Sequence, residues 1–404
     1  MKIVYIWQII ATLILYHVQA YGQNEIELGN GINYMSSDSS FFVRFNSRFQ
    51  TQYMGRFNLK TNSYQDQFTI RRFRLKATGY VYKPQLQYKM ELALSNRDQG
   101  DFFAEHNYAA SIVLDAVLKW NFHPNWSLWI GQAKLPGNRE RLFSSKSLSL
   151  PDRSVLNSRY NIDRDKGIWV RHYHELGTLA LREIFSITSG EGRNITSDNS
   201  SGYDYTFRIE VMPFGLFTNK GDYFGADLIH EKTPKLSIGT TYDHNFGTNR
   251  QRGQLGFFLF NDQGDPQRSD LATIFVDAIF KYIGGTIHYE YANKRLTNGD
   301  YFGYSSNGQT ILYFYTGFAH NIHFSYLLTN KLSFEFRSTF NRPNQVTSID
   351  GAKIHIEHPE NRYEFGLSKY FVEHTLKIQG STIYRNRWAT DDELIVLLQM
   401  EIGF

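Results

Sequence analysis

Cysteine is absent from the 404-residue chain, and proline is scarce, with only 9 residues. The lack of cysteine excludes a disulfide scaffold, thiolate metal sites and cysteine nucleophiles. After the first sixteen residues the sequence also lacks any run of about 18 uncharged apolar residues, which excludes a helical membrane protein. A strong excess of one charge is missing too, because the formal net charge of +4 is too small to argue for a nucleic-acid partner. Any basic feature must therefore be local.

The first twenty residues have the pattern of a secretory signal peptide. A positive start at Lys2 precedes an uncharged, mainly apolar stretch at 3–16, and the small residues around Ala20 resemble a cleavage site. Cleavage after Ala20 and cleavage after Gly22 both fit, and the alternative is an uncleaved helix of the core. We predict a signal peptide at 1–20, an N-terminal periplasmic segment at 21–40 and a folded domain at 41–404.

The rest of the chain alternates between apolar and polar residues with a period of two. In the first such segment Phe41, Val43 and Phe45 share one face, whereas Arg44 and Arg48 share the other. Strict alternation of this kind indicates strands with one apolar and one polar face. We predict about sixteen strands, at 41–53, 72–81, 86–94, 107–122, 126–132, 167–174, 178–188, 202–211, 235–245, 271–282, 285–294, 314–328, 331–341, 361–371, 375–385 and 393–404. Eighteen strands are possible if 223–230 and 254–260 are also counted.

The connections between these strands alternate between short and long. Tight turns such as 283–284 alternate along the chain with long polar connections such as 133–166. The stretch 212–234 is the exception, because it is long where a short turn is expected. Many strands run eleven residues or more, longer than the ~5–6 residues usual in soluble sheets. About 9–11 tilted residues cross a bilayer, and a closed barrel leaves no unpaired edge in lipid. We therefore predict an all-β fold, a transmembrane antiparallel up-and-down β-barrel.

Aromatic residues are abundant and lie near the ends of the predicted strands. The chain has 27 Tyr and 32 Phe, a load that excludes a disordered polar chain. Tyr80, Tyr82, Trp120 and Phe122 illustrate the clustering, which is typical of the aromatic belts at membrane interfaces. This placement also favours a barrel in a membrane.

Several short blocks of sequence resemble one family of bacterial outer-membrane proteins. They are 38–41 leading into 48–50, the run Ile-Arg-Arg-Phe-Arg-Leu-Lys at 70–76, 129–136, 165–170 and the C-terminal Phe404. In order and spacing they resemble the phosphate-selective porin O and P family, from about residue 30 to the end. The resemblance implies a sixteen-stranded barrel in the outer membrane, usually a homotrimer, that carries anions through a constriction lined by arginine and lysine.

Basic residues on the polar faces and in one long connection are the candidate functional residues. The segment 133–166 has eight basic residues against four acidic ones, and we expect it to fold inward as a constriction loop. Arg and Lys bind phosphate and carboxylate oxygens, and same-face neighbours on a strand lie ~6–7 Å apart. The predicted anion pathway consists of Arg44, Arg48, Arg72, Arg74, Lys76, Lys134, Arg139 and Arg141. Two alternatives stay open: a solvated loop, and side chains that pair with acidic residues and brace the wall. Arg71 has the parity of a lipid-facing residue.

The predicted function is a passive, anion-preferring diffusion channel for phosphate, polyphosphate or other small acidic solutes. Its expected surroundings are outer-membrane lipid and lipopolysaccharide, without nucleic acid and without a cofactor. No catalytic residue is predicted, and His172 and His174 are interpreted as interfacial rings rather than a metal site. The alternatives are a non-conducting structural barrel and a barrel hydrolase built on His106, or on His244 with Asp243.

Overall fold

The computed structural model describes residues 28–95, 112–195, 202–347, 353–355, 357–388 and 390–404. The predicted signal peptide and the start of the predicted strand at 107–122 lie outside these residues. Sixteen long strands form one closed antiparallel sheet, in which each strand pairs with its neighbours in sequence and the last strand pairs with the first. They are β1 Phe41–Asn58, β2 Tyr64–Val81, β3 Leu86–Ala93, β4 Val113–His123, β5 Trp126–Lys134, β6 Arg164–Leu176, β7 Leu179–Thr188, β8 Asp204–Met212, β9 Lys235–Thr248, β10 Ser269–Tyr282, β11 Gly285–Asn298, β12 Gly317–Leu327, β13 Leu332–Pro343, β14 Glu360–Val372, β15 Leu376–Arg387 and β16 Glu393–Gly403.

Closure of the sheet occurs between β16 and β1, where Gly403 lies opposite Arg48 and Glu393 opposite Asn58. This closure leaves the described barrel wall without a free edge, as a sheet in lipid requires. The prediction of a sixteen-stranded transmembrane barrel is therefore confirmed. The two extra segments, 223–230 and 254–260, contribute no strand to the wall.

The period-two pattern explains which side chains face inward. In β1, Phe45 and Phe49 are exposed on the outer surface. Arg48, Gln50 and Gln52 are buried inside the barrel. The same alternation repeats around the sheet, so the apolar faces form the outer wall and the polar faces enclose a lumen.

The two ends of the barrel differ in their connections. At the short-turn end, β10 and β11 are joined by Ile283 and Gly284, whose φ values of 45° and 79° are both positive. Two such residues make the tight turn whose twist matches paired strands, and glycine takes this conformation without strain. The opposite, long-loop end carries two small hairpins, Phe302–Tyr304 with Ile311–Tyr313 and Gln345–Thr347 with Lys353–His355. A further short strand, Ile32–Met35, pairs with the start of β1.

Among the described residues, the helices are few and short. They are α1 Arg139–Leu142, α2 Val155–Tyr160, and the 3₁₀ turns Ser145–Ser147 and Thr218–Tyr223. Within the described ranges, no helix combines the length and the apolar character needed to cross a membrane.

Candidate solute pathway

The connection between β5 and β6, residues 135–163, lies inside the barrel and is called the inward loop below. Its side chains Leu135, Leu156 and Ile162 form an apolar cluster with Trp169 and Phe275 of the wall. Helix α2 within the loop packs against β11, β12 and β13, far around the barrel from β5 and β6. The loop therefore crosses the lumen instead of rising into solvent.

A buried ionic network holds the start of the inward loop against the wall. It consists of three arginines and three carboxylates, Arg139, Arg182, Arg208, Glu210, Asp222 and Asp277. Arg139 Nε lies 2.6 Å from Asp277 Oδ1, and Arg208 Nη1 lies 2.7 Å from the other oxygen of the same carboxylate. Glu210 lies 2.8 Å from Arg208 and 3.1 Å from Arg182. Because the charges balance and each carboxylate has arginine partners, the network avoids leaving an unpaired charge buried.

The tip of the inward loop is fixed to the opposite side of the lumen. Lys377 Nζ, on β15, donates to the carbonyl oxygens of Lys146 at 2.9 Å and Leu148 at 2.6 Å. On β1, Arg48 donates to Ser145 Oγ at 2.6 Å. These contacts hold the loop at both of its sides.

The long segment at the short-turn end, 213–234, also folds into the lumen. Gly225 N donates to Ser147 O at 2.8 Å, so this segment meets the tip of the inward loop. A Cβ at Gly225 would approach the backbone nitrogen of Ser149 to 2.8 Å, which is why glycine is required there. Lys281 Nζ, on β10, donates to the carbonyl oxygens of Gly221 and Ala226 and holds the segment to the wall. The two segments together fill one side of the barrel.

The other side contains a cavity of about 430 Å³ toward the long-loop end. Its lining includes eleven arginines, namely Arg56, Arg71, Arg72, Arg74, Arg141, Arg153, Arg164, Arg193, Arg337, Arg362 and Arg385. Among the described residues, the carboxylates of the same lining are Asp152, Asp163 and Glu364. The lining residues alone therefore carry a formal excess of eight positive charges. Several of these arginines also form ion pairs with carboxylates outside the lining, namely Glu91, Asp115, Glu140, Glu360 and Glu393.

Two smaller basic cavities continue toward the short-turn end. One, of about 350 Å³, is lined by Arg44, Arg48, Arg74, Lys76, Lys89 and Lys146 with Glu91 as its acidic residue. The other, of about 260 Å³, is lined by Arg74, Lys89, Lys119, Lys134, Arg164 and Arg171 with Glu91 and Asp115. Arg74 borders all three cavities, so it stands where the wide basic cavity meets the two narrower ones.

Several cations crowd around Arg141 of α1. Burial and the neighbouring guanidinium groups of Arg153, Arg164 and Arg74 hold the pKa of Arg141 well below its usual range. Burial, with help from Arg74 and Arg164, lowers the pKa of Arg153 to about 10, although Glu140 opposes this. Burial is the larger cause of both lowered pKa values, and repulsion between the neighbouring cations adds to it, so a bound anion would relieve part of the cost.

Seven of the eight predicted pathway residues line these cavities. Arg72 and Arg141 border the large cavity, Arg44, Arg48 and Lys76 border the 350 Å³ cavity, Lys134 borders the 260 Å³ cavity, and Arg74 borders all three. Some of them are also paired: Arg74 Nη1 lies 3.1 Å from Glu91, and Arg48 Nη1 lies 2.9 Å from Glu401. The same side chains thus line a cavity and form ion pairs with carboxylates of the barrel wall.

Arg139 is the exception among the predicted residues. Its side chain has no exposed surface, and all its charged partners belong to the buried network described above. The structure therefore places Arg139 behind the lumen surface, as an anchor of the inward loop rather than in the lining.

The expectation that Arg71 faces lipid is wrong. Gln50 lies opposite Arg72, but the next residue, Thr51, lies opposite Ile70, so Arg71 is the extra residue of a β-bulge. The bulge turns its side chain into the lumen, where Nη2 lies 2.8 Å from Asp152 Oδ1.

Several lining residues were not singled out from the sequence. On β13, β14 and β15, the arginines Arg337, Arg362 and Arg385 enter the large cavity from the part of the wall that lies across the β16–β1 closure from β2. Their inward parity was readable, since Phe336, Tyr363 and Tyr384 beside them have aromatic side chains typical of the outer face. Their proximity to the arginines of β2 depends on the closure of the sheet, which the sequence pattern of single strands does not display.

The suggested hydrolase pair His244 and Asp243 does not form a dyad. The His244 ring stacks on Phe246 on the outer face, at 4.0 Å between centroids. Asp243, one residue earlier, is buried inside and accepts from Thr206 Oγ1 at 2.9 Å. The two side chains are on opposite faces of the sheet. His106, the other suggestion, lies outside the described residues.

A closed sixteen-stranded barrel with an inward-folded loop defines the outer-membrane porin class. The family model named phosphate-selective porin O and P matches residues 43–254, just over half of the chain, and the chain belongs to that family. It is therefore an outer-membrane channel of the porin type, and the family resemblance drawn from its sequence blocks is confirmed.

Solved porins share the fold at low sequence identity. Salmonella typhi OmpF is 11% identical, with 91% of this chain and 100% of that chain covered and a TM-score of 0.54. An anion-selective porin from Comamonas acidovorans is 10% identical, with coverages of 90% and 99% and a TM-score of 0.51. OmpT of Vibrio cholerae in its trimer form is 12% identical, with coverages of 90% and 99% and a TM-score of 0.51. No curated protein sequence matches the chain.

Proposed function

We propose that this porin is a passive diffusion channel that prefers anions, including phosphate, polyphosphate and other small acidic solutes. The observation that carries the proposal is the large cavity with eleven arginines and three carboxylates in its lining. The description of the family as phosphate-selective and of the Comamonas acidovorans porin as anion-selective agree with it.

Fixed positive charge favours anions by direct attraction and by exclusion of cations. Two unit charges 4 Å apart interact by about 1 kcal/mol in bulk water and about 4 kcal/mol at an effective dielectric constant of 20. Each 1.4 kcal/mol corresponds to about tenfold in occupancy, so a few uncompensated arginines suffice for a strong preference. Salt screens exposed charges beyond about 10 Å at 0.1 M, but close contacts inside a narrow lumen are screened much less.

Several basic groups in succession allow an anion to leave as well as enter. From the long-loop end, Arg56 and Arg385 would be met first, then Arg141 and Arg74, and then Arg44 toward the short-turn end. A series of weak sites binds an ion without trapping it, because the next site always competes for the same charge.

The proposal includes the cellular setting. We infer export through the N-terminal signal peptide, insertion in contact with outer-membrane lipid and lipopolysaccharide, and assembly as a homotrimer. The trimer form of Vibrio cholerae OmpT, which has a similar fold, supports the last point. In this setting residues 133–166, which include the inward loop, act as the constriction.

The first test is the reversal potential of the purified protein in a planar bilayer under a KCl gradient. We expect a sign that corresponds to Cl⁻ permeating faster than K⁺, because the lumen carries excess positive charge. A reversal potential of the opposite sign would refute the anion preference. Absence of any current would favour the alternative of a non-conducting structural barrel.

A second test removes a negative charge instead of a positive one. Asp152 lies 2.8 Å from Arg71 and 3.2 Å from Arg72 at the wall of the large cavity. In Asp152→Asn, both guanidinium groups lose their counter-charge, and we expect the Cl⁻/K⁺ permeability ratio to rise about two- to tenfold.

The matched control for this test is Asp262→Asn, which makes the same change on an exposed loop. The control should leave the ratio unchanged. An unchanged or lower ratio in Asp152→Asn, with the barrel still folded, would contradict the assignment of this cavity to the ion path.

A further inference from the structure

Two histidines converge on the outer wall of the barrel, away from the solute pathway. His172 and His174 lie on β6 with the same parity as Ile168, which is 47% exposed on the outer surface. Residues two apart on a strand face the same side, about 6–7 Å apart along the backbone. The two imidazole rings approach each other to 5.0 Å between centroids.

The neighbouring strand supplies a carboxylate to the same place. Glu183 on β7 lies directly opposite His172, and Nδ1 of His172 lies 2.9 Å from Oε2 of Glu183. One potential ligand atom from each of His172, His174 and Glu183 lies within 4.8 Å of the others. Ligand atoms of a tetrahedral zinc site lie about 3.4 Å apart, so small side-chain rotations would bring all three to one ion.

Apart from the two histidines, the described side chains around Glu183 on the outer wall are apolar and supply no positive charge to its carboxylate. On its other side Glu183 lies opposite Ile209, and the outward neighbours along β7 include Phe185 and Ile187, which are apolar. A carboxylate at an apolar outer wall is costly without a cationic partner. His172 can supply one only when it is protonated.

Two further features shape the cluster into a pocket for an ion. The indole ring of Trp126 stacks on the His172 ring at 4.1 Å and limits its movement. Within the described part of the chain, the buried Nδ1 of His174 has no hydrogen-bond partner. A buried polar atom without a partner carries a desolvation cost that a bound ion would remove.

We propose that His172, His174 and Glu183 form a binding site for one divalent transition-metal ion, with zinc as the best match. Two imidazoles and one carboxylate are a common zinc ligand set, and water can take the fourth position. Imidazole nitrogen also suits copper and nickel, whereas magnesium and calcium prefer all-oxygen sites. The ion links β6 to β7 near their turn at the short-turn end and stabilises this rim of the barrel.

The test is calorimetric titration of the untagged, chelator-treated protein in detergent with zinc chloride, and with magnesium chloride for comparison. We expect one zinc ion per chain and no saturable magnesium binding. His174→Ala and Glu183→Gln are each expected to weaken zinc binding by about tenfold or more, since each removes one of three ligands. His320→Ala is the matched control, because His320 also faces outward but bonds to Tyr289 Oη at 2.8 Å.

Cobalt gives an independent readout of the same site. Bound Co²⁺ in a tetrahedral His₂Glu site gives strong visible absorption, which we expect in the parent protein and in His320→Ala but not in Glu183→Gln. Circular dichroism of each variant checks that the barrel has folded, and Glu183→Gln preserves the shape of the side chain. If the parent protein binds no zinc, the proposed site is refuted. If His174→Ala and Glu183→Gln bind zinc as strongly as the parent protein does, the site is also refuted. Either result would show that the cluster is only an ion pair between His172 and Glu183.

Discussion

Neutralising Arg74, Arg141 and Arg153 together is expected to abolish the anion preference of the channel. Arg74 stands where the three basic cavities meet, and Arg141 and Arg153 approach the same region from the inward loop. Arg74→Gln/Arg141→Gln/Arg153→Gln removes three positive charges while keeping polar side chains of intermediate length. At about 1 kcal/mol or more for each charge, the Cl⁻/K⁺ permeability ratio should fall by about a hundredfold, to near unity or below.

The control for this experiment removes the same amount of charge from the surface. Lys60, Lys83 and Lys331 are exposed on connections at the ends of the barrel, so Lys60→Gln/Lys83→Gln/Lys331→Gln lowers the net charge equally. Reversal potentials of the two triple variants under the same KCl gradient separate local from overall charge. Similar ratios in both variants would mean that net charge, and not the arginine lining, governs ion selection.

A triple variant with lysine distinguishes charge from hydrogen-bonding geometry. Arg74→Lys/Arg141→Lys/Arg153→Lys keeps every positive charge but loses the planar fork of guanidinium. Preference for Cl⁻ over K⁺ should therefore remain, while any stronger binding of phosphate than of chloride should weaken. Phosphate has several oxygens that a guanidinium group can contact at once, and chloride has none.

The wall of the barrel was predictable because its signal is local. Whether Phe45 faces lipid and Arg48 faces the lumen depends on a period of two along one strand, and the sequence displays that period directly. The number of strands followed from the same pattern, since each strand is long enough to be recognised alone.

Arg71 is the exception on the wall, because the period of two along β2 is interrupted there by a β-bulge. Phe68 and Ile70 are exposed with even parity, whereas Phe73 and Leu75 further along β2 are outward-facing with odd parity. The change of parity between 70 and 73 was a visible sign of a bulge, because one inserted residue reverses the faces of every residue after it. Extending a single parity through Arg71 therefore assigned it to the wrong side.

The inward loop could not be resolved from the sequence in the same way. Arg139 and Arg141 are two residues apart and have the same charge, yet one is buried behind the lumen surface and the other borders the large cavity. Their difference comes from Asp277, which is 138 residues away in the chain and reaches Arg139 only in the closed barrel. Glu183 beside His172 has a similar origin, since cross-strand register created the proposed metal site.

The largest effect on stability is expected from Arg139→Met. The network then holds Arg182 and Arg208 against Glu210, Asp222 and Asp277, so two positive charges face three negative ones in a site that is almost completely buried. Removing one partner of a buried ion pair typically costs about 3–5 kcal/mol, because a buried charge is left uncompensated. We expect a lower midpoint of thermal unfolding in detergent and noisier open-channel current, since the inward loop loses its anchor on β10.

Two companion variants decide whether the charge balance of the network is the cause. Arg139→Met/Asp277→Asn leaves two positive and two negative charges, and it should recover much of the lost stability even though it removes a further native group. Arg159→Met makes the same side-chain change in the same loop, but its partner Glu357 lies 2.6 Å away in a partly exposed pair. Such pairs are worth about 0–1 kcal/mol, so this variant should unfold close to the parent. If Arg139→Met and Arg139→Met/Asp277→Asn lose the same amount of stability, lost packing rather than an unpaired carboxylate accounts for the role of Arg139. If neither variant loses stability, the inward loop is held without the network.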